Sequence, residues 1–240
     1  MDEPVEVSPA ASSPGPKGER TRANIVDVAL RLFRERGYEA TTMRAIAGEA
    51  GVSLGNAYYY FASKEHLIQA FYDRTQVDHT RAAQPVLDRE IDLTARITGV
   101  AGAWFDMMEP YRSFAGSFFK NAADPSSPLS PFSPESAPAR GTAIELWSQV
   151  VEGSDAKIPR PLRAPLPELL WLYFMGTVLY WVYDQTEGAA GTRVLVGATA
   201  PMVVRAIGLA RLPVLRSTLA DLVQLVTDIK SIGTGGTGLA

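Results

Sequence analysis

Cysteine is absent from the 240 residues, which excludes disulfides, thiolate nucleophiles and cysteine-bound zinc. Histidine is nearly absent too: His66 and His79 are the only two, too few for a multi-histidine metal site, so neither a metal nor a cofactor is expected. No stretch alternates apolar and polar residues for long enough to make a strand, and the fold class is therefore read as all-α. The amino terminus is polar and acidic, without the apolar core of a signal peptide, and the chain reads as cytoplasmic. Its longest apolar run spans 169–183 and is broken by Gly176-Thr177; a bilayer span needs roughly 20 residues, so no membrane partner is expected. A nucleophile elbow is missing. The glycines at 233–238 formally fit G-x-G-x-x-G, but they follow a helical pattern instead of a strand, so no phosphate site is read there and the chain is not read as an enzyme.

What is present is an ordinary globular composition, 46% hydrophobic and 20% charged, with an uneven distribution of charge. Net charge is −3, yet residues 17–64 hold eight Lys/Arg against five Asp/Glu, a surplus of +3 that leaves −6 elsewhere. A basic amino-terminal module on an acidic body suits a DNA reader attached to something that should avoid DNA.

Residues 1–18 carry four prolines and read as a disordered leader, either a passive tail or an arm reaching DNA near Lys17 and Arg20. From Arg20 to Arg36, Ile25, Val28, Ala29, Leu32 and Phe33 recur at i, i+3, i+4, i+7 and i+8, the stripe of an amphipathic helix, and Gly37 ends it. Thr41 and Thr42 are placed to cap a second helix whose inward face is Ile46, Ala47 and Ala50. Gly51 breaks that helix, Ser53 caps a short third one, and Ser63 caps a long fourth. Further helices are expected near 92–108, 111–122, 136–152, 167–186, 190–211 and 214–230. Two proline-rich stretches, 124–138 and 159–167, read as loops. The organisation expected is a leader at 1–18, a DNA-binding domain at 19–66, a helical domain at 67–231 and a flexible tail at 232–240.

Three short helices, the second and third joined by a tight Ala-Gly-Val-Ser turn, make a helix-turn-helix whose third helix is free to enter a major groove. Ser53 opens that helix and turns its first amides toward a phosphate. Three consecutive tyrosines, Tyr58, Tyr59 and Tyr60, span more than half a helical turn, so at least one must face outward, where its hydroxyl can meet a phosphate. Taken together, Ala29-Leu-x-Leu-Phe33, Gly37-Tyr38, Thr41-Thr42, Ile46-Ala47, Ala50-Gly-Val-Ser53, Gly55, Tyr58-Tyr59, Phe61 and Ser63-Lys-Glu65 resemble the DNA-binding domain of the TetR family of bacterial repressors. The resemblance implies that Thr42, Tyr58, Tyr59 and Lys64 touch phosphates, and that Met43, Leu54, Gly55 and Asn56 face bases. Arg44 and Tyr60 join the candidate DNA set, Tyr60 standing where the family usually has a histidine. Leu54 suits a thymine methyl, and Asn56 is either an adenine partner or a solvent-exposed helix residue.

A helix apolar all round must be buried all round. The run at 169–183 thus needs its own core on one side and a partner on the other. The resemblance implies a homodimer through 167–186 and 190–211, which would present two recognition helices to adjacent major grooves of a double-stranded operator. It also implies an effector pocket. Candidate lining residues are Trp104, Phe105, Met108, Phe118 and Trp147, with Trp171 and Met175 from the apolar run, and they point to a small apolar or aromatic effector. Residue by residue, plain core packing is the competing reading. The expected function is a ligand-responsive transcriptional repressor; the alternative is a small-molecule-binding protein or adaptor whose helix-turn-helix no longer binds DNA.

Overall fold

A computed structural model describes residues 16–210, apart from the side chains of Ser113, Phe114, Ser117, Phe118 and Asn121. The leader up to residue 15, the helix expected at 214–230 and the tail at 232–240 lie outside the described residues. Among the described residues the chain is helical, in the order α1 (Pro16–Arg36), α2 (Met43–Glu49), α3 (Leu54–Tyr60), α4 (Lys64–Arg89), α5 (Leu93–Met108), α6 (Arg112–Ala122), α7 (Ala137–Glu152), α8 (Arg160–Arg163), α9 (Leu166–Tyr183) and α10 (Ala190–Leu209). It divides into two compact units between Ala70 and Phe71, inside α4 and a turn later than the boundary expected at 66.

The first unit is built on the stripe read from the sequence. Ile25, Ala29, Leu32 and Phe33 of α1 are at most 1% exposed, and Ile46, Ala47, Ala57, Phe61, Leu67 and Ile68 complete the core. α1 starts earlier than expected. Pro16 stands at its first position, where a fixed φ favours the helix and a missing N–H costs nothing, so residues 16–18 are helix and not part of a disordered leader. Gly37 ends α1 at φ +85°, its N–H donating to the Phe33 carbonyl at 3.0 Å. Gly51, at φ +68°, turns the chain between α2 and α3. Side chains rarely adopt either conformation.

In the second unit α7 packs on α9, α10 on α5 and α9, and α6 on α9. One polar side chain ties this bundle. Arg96 of α5 is 3% exposed, and its guanidinium donates to the carbonyls of Val150 (2.9 Å), Leu87 (2.9 Å), Gln149 (2.6 Å) and Glu90. These carbonyls lie in the last turns of α4 and α7 or, for Glu90, one residue past α4, where the macrodipole is negative; that of Gln149 also accepts from the Gly153 N–H.

The expected loop at 124–138 ends at residue 136, Ala137 and Pro138 already belonging to α7, and it is an ordered one. The carbonyls of Asp124, Ser127 and Ser130 each accept from the N–H three residues on, and their side-chain oxygens accept from the N–H two residues on. Ser127 and Ser130 are each followed by proline, which fixes the φ that the second turn position requires. The second proline-rich stretch departs from expectation. Residues 160–163 form α8, and Leu166 and Pro167 already belong to α9, Pro167 being tolerated in a first turn.

Candidate nucleic-acid interface and ligand cavity

α3 has seven residues and buries one of them, Ala57, at 0% exposure. A helix anchored by a single small side chain projects from its support. Its start is held by Ser53, whose Oγ accepts from the Asn56 N–H at 3.1 Å, and the start of α2 is held likewise by Thr42, whose Oγ1 accepts from the Ala45 N–H at 3.2 Å. Gly55 and Asn56 are exposed, Leu54 and Tyr60 half-buried. Tyr58 is 48% exposed and Tyr59 74%, unusual for rings with no fold-internal need to face water, and Tyr59 meets Tyr60 edge-on at 5.2 Å. Arg44 is exposed and makes no ion pair among the described residues. By contrast, Arg31 and Arg36 on α1 are neutralised by Glu49, and Arg31 also by Glu35.

Two expected residues stand elsewhere. Met43 is 7% exposed, packed into the head, so its side chain is not part of the surface that α2 and α3 present; as the first residue of α2 it lies on the same face as Ile46 and Ala47. Lys64 is half-buried. Its Nζ donates to the Tyr38 carbonyl at 2.9 Å and lies 4.3 Å from the centre of the Tyr38 ring. Tyr38 in turn donates its hydroxyl to Glu65 at 3.0 Å, and burial, then this bond, pushes the phenol well above its ordinary range. Lys64 thus closes the Gly37-Tyr38 turn onto α4.

The second unit holds a cavity of about 140 Å³ between α4, α5, α6, α7 and α9. Of the candidate residues, Trp104, Met108, Trp171 and Met175 line it. Phe105 and Trp147 do not: each is 1% exposed and packs on Phe174, at 6.1 Å and 5.5 Å between ring centres. The reason is helical phase. Trp104 and Met108 are one turn apart on α5, and Phe105 is rotated about 100° from Trp104. Phe118 lies outside the residues whose side chains are described. The sequence reading missed Phe71, Tyr72, Thr75 and Gln76 on one face of α4, and Phe174, Val178 and Trp181 on α9. Their i, i+1, i+4, i+5 spacing was the available signal on α4; on α9, apolar on every face, no spacing could single out a wall.

His79 sits behind this wall, 2% exposed, stacked on Phe174 at 5.9 Å and hydrogen-bonded through Nε2 to the Val100 carbonyl at 2.9 Å. Burial lowers its pKa from 6.5 to about 4. Between those values the unfolded chain binds more protons than the folded one, so stability falls as pH drops from 6.5 toward 4. The loss expected from this residue is at most about 3 kcal/mol. Urea titrations at pH 7 and pH 4 check it: His79→Gln should remove that part of the pH dependence, and an unchanged slope would show the acid sensitivity to lie elsewhere.

Comparison with known proteins follows the same division. Residues 25–71 match the model described as bacterial regulatory proteins, tetR family. Residues 96–225, more than half of the chain, match the tetracyclin repressor-like C-terminal domain. The transcriptional repressor KstR2 of Rhodococcus jostii is 36% identical over 94 residues, 38% of this chain and 45% of that protein. The regulator TtgR of Pseudomonas putida is 38% identical over 68 residues, 28% of this chain and 32% of that protein. The chain thus matches less than half the length of these curated relatives. A TetR regulator from Nitrosomonas europaea shares the fold at a TM-score of 0.59 and 21% identity, over 76% of this chain and 97% of that one. One from Streptomyces coelicolor does so at 0.59 and 23%, over 88% and 89%. With both halves matched by models of one family, and the fold shared along most of its length, the chain belongs to the TetR family of bacterial regulatory proteins.

Proposed function

We propose that the protein is a cytoplasmic, ligand-responsive transcriptional repressor that binds a double-stranded operator as a homodimer. The observation that carries this reading is α3: a capped helix whose one buried side chain is Ala57, offering Asn56, Tyr58 and Tyr59 to solvent. Thr42, Arg44, Ser53 and Tyr60 extend that surface toward the backbone, Leu54 and Gly55 toward bases, and Lys64 supports it from the Tyr38 turn. The resemblance over 94 residues to the repressor KstR2 supports repression as its direction.

Dimerisation is argued from exposed apolar side chains. α9 leaves Leu172, Leu179, Tyr180 and Tyr183 in water, and α10 leaves Val194, Met202 and Leu209. Small residues, Gly176, Gly197 and Ala198, lie exposed among them and permit close approach. The segment Glu187–Leu209 has the length and apolarity of a membrane helix, and only 22% of its most apolar 18-residue stretch is buried. A second copy of the same two helices covers this face in an isologous pair. Two heads are then offered to grooves about 34 Å apart.

The cavity is the effector site. FadR of Bacillus subtilis, in complex with stearoyl-CoA, shares the fold at a TM-score of 0.57 but only 15% identity, so its ligand is not carried over. An effector releases DNA only by binding the DNA-incompetent state more tightly; α4, running from one unit into the other, is the covalent route between them. Titrating the full chain against the DNA upstream of its own gene, at rising salt, tests the proposal. Binding should weaken linearly on a log–log plot as counterions are released; no salt-dependent binding would contradict it.

A further inference from the structure

One arginine sets the charge of the cavity wall. Arg140 stands in the first turn of α7 and lines the cavity together with its neighbours Ser136 and Ala139. Its Nη1 donates to the carbonyls of Pro131 (2.6 Å) and Ser133 (3.3 Å), and Pro131 is itself a wall residue, so the guanidinium is held at the wall. Carbonyls are neutral acceptors and leave its positive charge in place. Among the described residues no carboxylate pairs with it: no Asp or Glu lines the cavity, and Glu135, on the same loop, is exposed and not part of the wall. The start of α7 adds to this charge. No side chain caps its first amides, and a helix amino terminus carries the positive end of the macrodipole. Most of the remaining wall is apolar and much of it aromatic, Trp104, Trp171 and Phe174 included. Beside such a wall a charge acts on an occupant with less screening than in water. The volume, about 140 Å³, is close to that of the roughly 150 Å³ apolar cavity known to hold benzene, so the apolar part of an occupant is the size of one ring.

We infer that the cavity takes a small aromatic carboxylate, with its ring among the aromatic side chains and its carboxylate against the Arg140 guanidinium. The inference rests on the cavity being the effector site proposed above, and it adds the chemical class of the occupant. Apolar enclosure selects the ring, and the unpaired positive charge selects an anion over a neutral or cationic molecule of the same size.

Calorimetric titration of the full chain at neutral pH with benzoate, benzamide, benzylamine and acetate tests it. Benzoate should bind about tenfold more tightly than benzamide, the size of one hydrogen bond to a charged group, and benzylamine and acetate more weakly than either. Arg140→Gln removes the charge and should bring benzoate down to benzamide. Arg140→Lys keeps the charge and should keep benzoate ahead. The wild-type comparison stands even if these variants fail to fold. Equal affinity of wild type for benzoate and benzamide, tightest binding of benzylamine, acetate bound as well as benzoate, or no binding of any probe would overturn the inference. DNA titration on the same preparation separates the readings: salt-dependent DNA binding without a preference for benzoate leaves the regulator standing and removes only the ligand assignment.

Discussion

Arg96→Met should lower the stability of the C-terminal unit by about 4 kcal/mol, because one substitution removes the buried donor to the Val150 carbonyl and the part-buried donors to Leu87 and Glu90, only the Gln149 carbonyl keeping another partner in the Gly153 N–H. The wild-type guanidinium fills the ends of α4 and α7 at once and is 3% exposed, so water cannot replace it without opening the bundle. Methionine keeps much of the volume and supplies no N–H, which makes the hydrogen bonds the quantity measured. Gly153, just past α7, bears on the same point from the other side. A Cβ there would overlap the Arg96 guanidinium, so Gly153→Ala should displace it and cost part of the same energy. Urea unfolding followed by tryptophan fluorescence reads both, since all four tryptophans lie in this unit. A loss below about 1 kcal/mol for Arg96→Met would mean that the carbonyls find other partners.

Val194→Asp should convert the proposed homodimer to a monomer at concentrations where wild type sediments as a pair. Val194 is 72% exposed within one chain, so the change costs the fold little. In an isologous interface it places two carboxylates in an apolar contact, one from each copy. The residues one turn away on α10, Ala190, Gly197 and Ala198, offer no cation, and the neighbouring Arg193 is engaged with Asp106 at 2.6 Å. Desolvating an unpaired charge costs several kcal/mol, so the dissociation constant should rise by about a thousandfold or more. Sedimentation of both proteins across a concentration series measures it. An unchanged dimer would place the interface away from α10.

The N-terminal head was legible in the sequence because its signals are local. A helical stripe, a glycine at each sharp turn and a hydroxyl at each helix start lie within a few residues of one another, and Gly37, Thr42, Gly51 and Ser53 act as those signals require. Met43, which the resemblance implied would face bases, is buried because its helical phase matches Ile46. The cavity was half legible. Trp104 and Met108 could be placed as large adaptable residues, but which face of α9 lines the wall depends on tertiary packing that a uniformly apolar helix does not encode. Arg96 gave no signal at all. A lone arginine in an apolar helix looks like a solvated one until the ends of two other helices, more than fifty residues apart in the chain, are found against it.

The central claim is that the exposed face of α3 holds DNA. The direct measurement is fluorescence anisotropy of the labelled upstream DNA against full-length wild type and the double variant Asn56→Ala/Tyr58→Ala, with circular dichroism and sedimentation run in parallel. Wild type should bind with a steep salt dependence, and the variant should lose about a hundredfold in affinity while keeping its helicity and its dimer. A variant that binds as tightly as wild type would contradict the assignment of α3 as the reading helix.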